Sequence, residues 1–485
     1  MGFLDKFKTR ESENPSTLTY LEYRIAAWMN SPERQEMLMS RDYYSGKQDI
    51  LNRVRTVINE SGQEQEVHNL PNKKLVMNFF RHLVDQKTNY ALGKPLNIVT
   101  ENEVYGELVG KMFNKKMMMK MRDLCQEAVL GGIAFLYPYY DKRGDFQVKV
   151  FDSYEFMPLW GDAEHDELEG GVRVYPVEIY ENGKVREIVR AEVYTTEGID
   201  RYLYHRGKLI PDDTMPHEDY LKFGEQGYNW ERFPVIPFRY NMDETPLLRD
   251  VKNLQDALNL SVSNMVNELE ESPGNSIIHL KNYDGEDLAS FRRNLMTYRA
   301  VKTRTVDGVQ GGVEILKTET DPTLYEATIK QLRRGLIENG RGFDAKDEKM
   351  EGDLNMLNIN SAYVDIDADV DALETEFQRG FEDLKFFIDQ WLIHTGKGDF
   401  TEETLEFVFN RNIFINQSQR ITDCQISSAI LSKKTVLAHH PFVKNVEREL
   451  RQLEEDEKAE MEKMEQTFQI QTQNTPEPTS GGGNK

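Results

Sequence analysis

The sequence is poor in cysteine and contains no long apolar run. Its two cysteines, Cys125 and Cys424, lie far apart in the chain, so neither a disulfide framework nor a cysteine-based zinc site is expected. No stretch approaches the ~18 uninterrupted apolar residues of a membrane span, and the amino terminus lacks the apolar core of a signal peptide. We therefore expect a soluble, intracellular protein without a membrane partner.

Positive charge is also scarce. The 485 residues include 60 Lys and Arg against 83 Asp and Glu, a formal net charge of -23. This is the wrong sign for a protein that holds nucleic acid over its whole surface by neutralising phosphates. The 39% hydrophobic content is sufficient for buried cores, and the length allows three or four domains of about 100–200 residues.

Recognisable catalytic motifs are missing as well. The chain has neither G-x-S-x-G nor H-E-x-x-H. The nearest match to a phosphate-binding loop, from Gly311 to Thr318, has Leu316 where a glycine must let the backbone approach a phosphate. The sequence therefore predicts a protein that is not an enzyme and needs no cofactor.

The first half of the chain combines helical and strand patterns. Apolar residues at three- and four-residue spacing predict an amphipathic helix from Lys73 to Tyr90 and a second helix from Val104 to Leu130. Residues 133–240 alternate apolar and polar side chains and are rich in Val, Ile and Tyr, which is typical of antiparallel strands. We therefore expect an α+β region.

The most informative pattern follows Pro246. One apolar stripe with spacings of three and four predicts a helix of about 25 residues and about 37 Å. The stripe consists of Leu247, Val251, Leu254, Leu258, Val262, Met265 and Leu269. A small α/β insert and a second helix at 322–339 come next. Because the stripe is too apolar to face water, we expect neighbouring copies of the chain to cover it.

Farther along, residues 340–355 combine Gly and Asn with alternating charges, which predicts a mobile loop. A long helix is expected from Ser361 to Thr395. Beyond Gly398 the pattern predicts one strand and two helices, and the composition of residues 474–485 is typical of disorder.

Within the long helix, the acidic segment DIDADVDALETE allows two interpretations. Its acids occupy the spacing of a calcium-binding hand: Asp365, Asp367, Asp369, Asp371 and Glu376. Val370 stands where that loop needs glycine. We favour the alternative, in which the acids occupy the first turns of a helix whose dipole attracts negative charge.

The densest positive cluster lies in the small insert. It comprises Arg292, Arg293, Arg299, Lys302 and Arg304. Solvated surface explains scattered cations, whereas a cluster also fits contact with an acidic protein or nucleic acid. These two interpretations remain open.

Several segments together resemble a known family. They are Tyr43-Tyr44-Ser45-Gly46 with Asp49-Ile50, then LVMNFFRHLVDQKTNYALGKPLNI, FPVIPFRYN, NRNIFINQSQRITDC and SKKTVLAHHPFVKNVERELRQLEEDE. In order and spacing, the region from about residue 40 to 455 resembles the Gp6-like portal proteins of tailed, double-stranded-DNA bacteriophages. The acidic DIDADVD segment departs from that resemblance.

The resemblance implies an α+β, portal-type subunit with an α/β wing, a two-helix stem carrying a small α/β clip, a long spanning helix and a helical crown, assembled as a ring. The implied parts are an N-terminal arm at 1–30, the wing at 31–246, stem helices at 247–271 and 321–341, the clip at 272–320, a tunnel loop at 342–360, the long helix at 361–397, the crown at 398–470 and a disordered tail at 471–485. The tunnel-loop residues would be Phe343, Asp344, Lys346, Asp347, Glu348 and Lys349.

The resemblance further implies a homo-oligomeric ring of about twelve subunits at the portal vertex of the virion capsid, assembled in the host cytoplasm. Double-stranded DNA would pass through the ring during packaging and ejection. The implied partners are a large terminase ATPase, head completion proteins, and the major capsid and scaffolding proteins, with the cationic cluster of the insert as a docking surface. The net acidity fits a channel in which DNA must slide without sticking.

Two other functions remain as alternatives. One is an oligomeric adaptor or scaffold that binds protein partners without forming a portal. The other is a metal-dependent enzyme that uses the acids from Asp365 to Glu376.

Overall fold

The computed structural model describes residues 17–59, 61–68, 70–181, 183–224, 226–271, 277–281, 322–344, 356–411 and 417–440, together with short pieces between 287 and 316 and between 442 and 461. The chain forms two compact units. The first contains residues 1–346 and 362–412, and the second contains residues 347–361 and 413–485. The predicted tail at 471–485 lies outside the described residues.

The helices alternate with sheet segments along the chain. Within the described residues they are α1 (Thr17–Met29), α2 (Pro32–Ser45), α3 (Phe79–Leu92), α4 (Glu103–Met112), α5 (Lys115–Gly131), α6 (Leu248–Glu271), α7 (Pro322–Asn339), α8 (Met356–His394), α9 (Gln417–Ser427) and α10 (Lys433–His439). Short 3-10 turns occur at Asp49–Asn52 and Ser153–Glu155. No helix in the described residues is long and apolar enough to cross a membrane.

The strands pair antiparallel throughout the described sheets. They are β1 (Thr56–Ile58), β2 (Glu64–Glu66), β3 (Asn97–Val99), β4 (Ile133–Tyr140), β5 (Phe146–Phe151), β6 (Phe156–Trp160), β7 (Leu168–Glu181), β8 (Lys184–Thr195), β9 (Gly198–His205), β10 (Lys208–Pro211), β11 (His217–Glu218), β12 (Leu221–Phe223), β13 (Gln226–Tyr228), β14 (Ile236–Arg239), β15 (Ile277–Lys281), β16 (Thr305–Val306), β17 (Val309–Gln310), β18 (Gly312–Leu316) and β19 (Glu406–Val408). The prediction of helices combined with an antiparallel meander is confirmed.

The largest sheet has the order β10-β9-β8-β7-β6, with β11 added beside β9. Its inner face forms a core with Leu21 and Ile25 of α1, against Met157, Val172 and Val193. This is the burial that the alternating pattern requires, because every second side chain of a strand points to the same face. Helix α1 therefore covers one side of the meander.

A second layer joins the three-stranded sheet β14-β4-β5 to α5 and to the long helix α8. Phe238 of β14 packs against Phe377 and Phe381 of α8 at ring-centroid distances of 5.0 and 5.5 Å. Gly132 joins α5 to β4 in the left-handed conformation (φ +80°), and a Cβ there would lie 2.1 Å from the Glu244 carbonyl oxygen. Only glycine fits this connection.

In the first half of the chain, two predicted helices have other boundaries than expected. The helix expected at 104–130 is interrupted, because the side chain of Asn114 accepts hydrogen bonds from the backbone N–H groups of Lys116 and Met117 and begins α5 anew. The helix expected from Lys73 begins only at Phe79. Residues 73–77 lie instead along α6, for the reason given in the next section.

The second unit contains helices α9 and α10, which contact each other. Ser432 caps α10 by accepting a hydrogen bond from the backbone N–H of Thr435. Cys424 is buried and lies with its sulfur 3.8 Å from the Val436 carbonyl oxygen. The sequence predicts two helices beyond Gly398, the second from Val443, whereas α9 and α10 both end before that residue. The expected strand is β19, which belongs to the first unit.

Candidate functional site

Helix α6 has a buried face made of polar side chains. Its members are spaced four residues apart and are at most 2% exposed: Gln255, Asn259, Ser263 and Asn267. We call this set the polar ladder. The side-chain oxygens of Asn267, Ser263 and Asn259 accept hydrogen bonds from the backbone N–H groups of residues 73, 75 and 77, at 2.7, 3.0 and 2.8 Å. Each buried polar group therefore has a partner.

The spacing of the polar ladder has a geometric basis. Four residues of helix advance about 6 Å along the axis, and two residues of extended chain advance about 6.6 Å. Alternate N–H groups of a segment that runs antiparallel to α6 thus meet every fourth side chain of the helix. Because these bonds to alternate N–H groups hold residues 73–77 extended along α6, the segment does not coil into a helix, which explains the late start of α3.

The first two members of the polar ladder, Gln255 and Asn259, also form hydrogen bonds with two further segments. Gln255 accepts a hydrogen bond from the Phe80 N–H at 3.0 Å and donates to the Met77 carbonyl at 2.7 Å. The Asn259 amide donates to Gln48, whose own amide donates to Asn78, the cap of α3. The polar ladder therefore fixes α6 to α3 and to the chain after α2.

Helices α6 and α7 pair antiparallel. The Tyr325 hydroxyl donates to Glu268 at 2.7 Å, so the start of α7 lies beside the end of α6. At the other end, a Cβ at Gly335 would lie 3.6 Å from Leu254. The two helices predicted to flank the insert are thus neighbours, with bounds close to the expected ones.

The apolar stripe of α6 is covered unevenly. Leu247, Val251, Leu258 and Val262 are buried by the chain itself. Of the remaining three, Leu254 and Met265 are half-buried, and Leu269 is 60% exposed. The expectation that the whole stripe needs neighbouring copies was therefore wrong for its first half, because α3 and α7 already pack there. It remains a prediction for the distal end.

The predicted loop begins from an anchored segment at residues 341–344. The Gln86 side chain bonds both the N–H and the carbonyl of Phe343, at 2.8 and 2.7 Å. The Phe343 ring stacks on Tyr363 of α8 with a centroid distance of 4.2 Å. Asp344 accepts two hydrogen bonds of 2.7 Å from Arg333 of α7. The prediction of a mobile loop was wrong for these residues.

The rest of the predicted loop is not in the part of the chain that the structure describes. Lys346, Asp347, Glu348 and Lys349 lie outside the described residues. The long helix begins at Met356, five residues before the predicted boundary.

A charged cluster lies beneath the anchored segment. The Lys87 ammonium is fully buried, pairs with Asp369 of α8 and donates to the Arg341 carbonyl at 3.2 Å. Asp369 also accepts a hydrogen bond of 3.0 Å from the Tyr240 hydroxyl and pairs with Arg341 at 3.3 Å. Burial lowers the pKa of Lys87 and raises that of Tyr240. We call these four residues the buried charge cluster.

The acidic segment of α8 is not a calcium-binding hand. Residues 365–376 form continuous helix, so the sharply turned loop of such a site is absent from this described segment. The acids also do not occupy the first turns of the helix, because α8 begins nine residues before Asp365. Arg411 pairs with Asp367 at 2.6 Å, with Glu374 at 2.8 Å and with Asp371.

Asp365 is exposed and Glu376 is half-buried. In the described residues, the carboxylates that lie close enough together to hold a metal ion are Asp162, Glu164 and Asp166 instead. Asp162 already accepts hydrogen bonds from the backbone N–H groups of residues 166 and 167. This group therefore forms a turn.

The insert contains strands in its described part. β15 pairs with β18, and β16 forms a hairpin with β17. Arg293 is helical and exposed, whereas Arg292, Arg299, Lys302 and Arg304 lie outside the described residues. Most of the cationic cluster is therefore outside the described residues, and its role stays a prediction.

Comparison with known proteins defines the class. Residues 30–463 match the family model described as phage portal protein, SPP1 Gp6-like. A match over most of the chain identifies a structural phage component of the portal class, the proteins that connect head and tail. The chain belongs to the SPP1 Gp6-like family of phage portal proteins, and the family expected from the sequence segments is confirmed.

Individual relatives agree with this assignment. The portal protein of Bacillus phage SPP1 is 26% identical over 435 residues, covering 87% of this chain and 84% of the relative. The portal protein of Clostridium phage phiCD119 is 25% identical over 456 residues, covering 90% and 96%.

Two solved structures also match. One is described as the neck of a native GTA particle computed with C12 symmetry, with a TM-score of 0.38 and 10% identity over 75% of this chain and 89% of that one. The other is the virion of a native gene transfer agent particle, with a TM-score of 0.37 and 10% identity over 74% and 87%.

Proposed function

We propose that copies of this chain assemble into a ring of about twelve subunits at one vertex of the capsid, with a central bore for double-stranded DNA. In this proposal α6 and α7 are the stem, the insert at 272–320 is the clip, and the segment after residue 344 is the tunnel loop. The observation that carries it is the uneven cover of the paired helices. The half that contains the start of α6 and the end of α7 is buried by the chain itself. The distal half, which adjoins the insert, exposes apolar side chains.

The exposed distal residues support subunit contacts. Leu269 and Leu324 are 60% and 66% exposed, and the Tyr325–Glu268 hydrogen bond brings their two regions together. Apolar side chains grouped on a helix pair are typical of an interface, since their burial yields about 25 cal/mol per Å². Adjacent subunits in a ring would cover them.

The test is the size of the assembly. The double variant Leu269→Lys and Leu324→Lys should convert rings into smaller species in mass measurements and in negative-stain averages, because two charges would enter each interface. The matched control is Met242→Lys, which places the same charge on a side chain that is 82% exposed outside the helix pair. Intact rings from the double variant, or a monomeric parent chain, would refute the proposed interface.

The anchored segment supports a role for the loop. Because residues 341–344 are bound by Gln86, Arg333 and Tyr363, the chain that follows starts from a fixed position. In the proposed bore, Lys346 and Lys349 would approach passing phosphates, while Asp347 and Glu348 would limit retention. Tight binding would stall movement of the DNA.

Deleting residues 346–353 tests this role without removing the anchor. Rings should still form, but the amount of DNA packaged or retained in particles should fall. The control is a deletion of the same length at 474–481. Normal packaging by the loop deletion, or equal losses from both deletions, would contradict the assignment.

The partners at the clip are proposed from its positive residues. Docking of a large terminase ATPase, and later of head completion proteins, would use Arg292, Arg293, Arg299, Lys302 and Arg304. Major capsid and scaffolding proteins would surround the ring in the host cytoplasm before packaging. Replacing Arg292 and Arg293 by Glu should weaken binding to purified terminase while rings persist, whereas Lys222→Glu on β12 should not. Unchanged terminase binding would remove these arginines from the interface.

A further inference from the structure

A groove of about 720 Å³ opens between α1, α2 and the sheet strands β4 and β6. Its floor is apolar and buried, with Phe135, Phe156 and Met157 at most 2% exposed. At the rim, Tyr23 of α1 is 71% exposed. An exposed aromatic ring beside an apolar floor is typical of a surface that another segment covers.

The rim of the groove is acidic. Four carboxylates line it against two arginines. Glu36 pairs with Arg249, and Glu244 pairs with Arg239. Glu33 and Asp243 have no ion-pair partner among the described residues. The groove therefore favours an occupant that is apolar and carries positive charge.

The segment of this chain from Gly2 to Arg10 has that chemistry. Its apolar residues Phe3, Leu4 and Phe7 lie at the spacing of one helix face, and Lys6, Lys8 and Arg10 outnumber Asp5. The segment lies outside the described residues and precedes the family match, which begins at residue 30. The family match therefore does not cover this segment.

The length of the connection is sufficient. The described chain starts at Thr17, and Tyr23 at the near end of the groove lies six residues along α1, about 9 Å away. The nine residues between Phe7 and Thr17 span up to about 30 Å when extended. Phe7 can therefore reach the Tyr23 end of the groove from its own chain.

We propose that residues 2–10 bind in this groove of their own chain, with Phe3, Leu4 and Phe7 on the apolar floor and Lys6 and Lys8 beside Glu33 and Asp243. Helix α1 packs its opposite side on the large sheet through Leu21 and Ile25. The bound segment would cover the side of α1 that carries Tyr23. It would then stabilise the attachment of α1 to the sheet.

Disulfide trapping tests the proposal in the full chain. The variant Leu4→Cys with Ala27→Cys should form an intramolecular cross-link under mild oxidation, seen as a faster monomer band on a non-reducing denaturing gel. Ala27 lines the groove and is exposed, and the native Cys125 and Cys424 are both buried. Adding Phe3→Ser and Phe7→Ser should slow cross-linking at least about tenfold, since two buried rings are lost.

The matched control is Leu4→Cys with Ala26→Cys. Ala26 is the neighbouring position, about 100° farther around the helix, and does not line the groove. It should cross-link at least about tenfold more slowly. Three results would each refute binding within the same chain. They are equal cross-linking rates at positions 26 and 27, no cross-link at position 27, and cross-links between different chains.

Tryptophan fluorescence gives an independent measurement, because Trp28 and Trp160 both line the groove. Removal of residues 2–10 should shift the emission of the full assembly to longer wavelength, and a synthetic peptide of residues 2–10 should reverse the shift. A peptide with Phe3→Ser and Phe7→Ser should need at least about tenfold higher concentration. Emission that is unchanged by the truncation would refute occupancy of the groove.

Discussion

The polar ladder and the buried charge cluster are two buried polar regions that hold neighbouring parts of the chain by different means. In the polar ladder, neutral side chains bind backbone groups of residues 73–80. In the buried charge cluster, ionised side chains bind each other and the Arg341 carbonyl. Both regions fix α3 to another helix.

The difference lies in how the free energy is distributed. A neutral hydrogen bond contributes about 0.5–1.5 kcal/mol, and the ladder spreads its contribution over several bonds along α6. A buried charge costs several kcal/mol to desolvate and is stable only while its partner is present. The ladder should therefore lose stability in small steps, whereas the cluster should fail when a single charge is removed.

The largest effect is expected from Asp369→Asn. This change leaves the Lys87 ammonium, which has no exposed surface, without its carboxylate. The free energy of unfolding should fall by about 3–5 kcal/mol in urea titrations. Combining it with Lys87→Met should recover most of that loss, because no buried charge then remains. A loss of only about 2 kcal/mol or less for Asp369→Asn would mean that the cluster is as tolerant as the ladder.

A smaller effect is expected from Asn259→Leu in the ladder. The Met77 N–H and the Gln48 side chain would lose their partner, which should cost about 2–3 kcal/mol in the same titration. The matched control is Asn253→Leu, an exposed position on the same helix, where a change within about 0.5 kcal/mol is expected. Similar losses at both positions would show that helix propensity, and not the ladder, determines the result.

The smallest effect is expected from Arg411→Met, which removes a charge at the edge of α8. Its partners Asp367 and Asp371 are 42% and 64% exposed, so water already screens the pair. The loss in the free energy of unfolding should be about 1 kcal/mol at low ionic strength. It should be smaller in roughly 0.5 M salt, because salt screens exposed charges. A salt-independent loss above about 3 kcal/mol would place Arg411 with the buried charges.

Much of the fold follows from the sequence because its patterns are local. The alternating pattern in residues 133–240 predicted the antiparallel strands. Helix α7 begins at Pro322 and ends at Asn339, as expected. The start of α3 could not be predicted in this way, because Leu75 and Val76 have helical spacing while the N–H of Leu75 binds Ser263, 188 residues away. Long-range hydrogen bonds override local propensity there.

The site was predictable only in part. The apolar spacing after Pro246 led to the helix pair, but the polar ladder was missed because apolar stripes were taken as the only sign of burial. The spacing of Gln255, Asn259, Ser263 and Asn267 was a visible signal, since a period of four places them on one face. The buried charge cluster had no such signal, because its members come from four distant segments.

The match between four helical and two extended residues also limits changes in chain length. One residue inserted between 73 and 77 would turn the following N–H groups away from α6. If two residues were inserted in this segment, α6 would have to gain four residues to keep the same pairing. By contrast, a Cβ added at Gly62 or at Gly183 would have no atom within 4 Å, so the turns at these glycines are open. Peptide tags or spacers should therefore be accepted at those turns and rejected along residues 73–77.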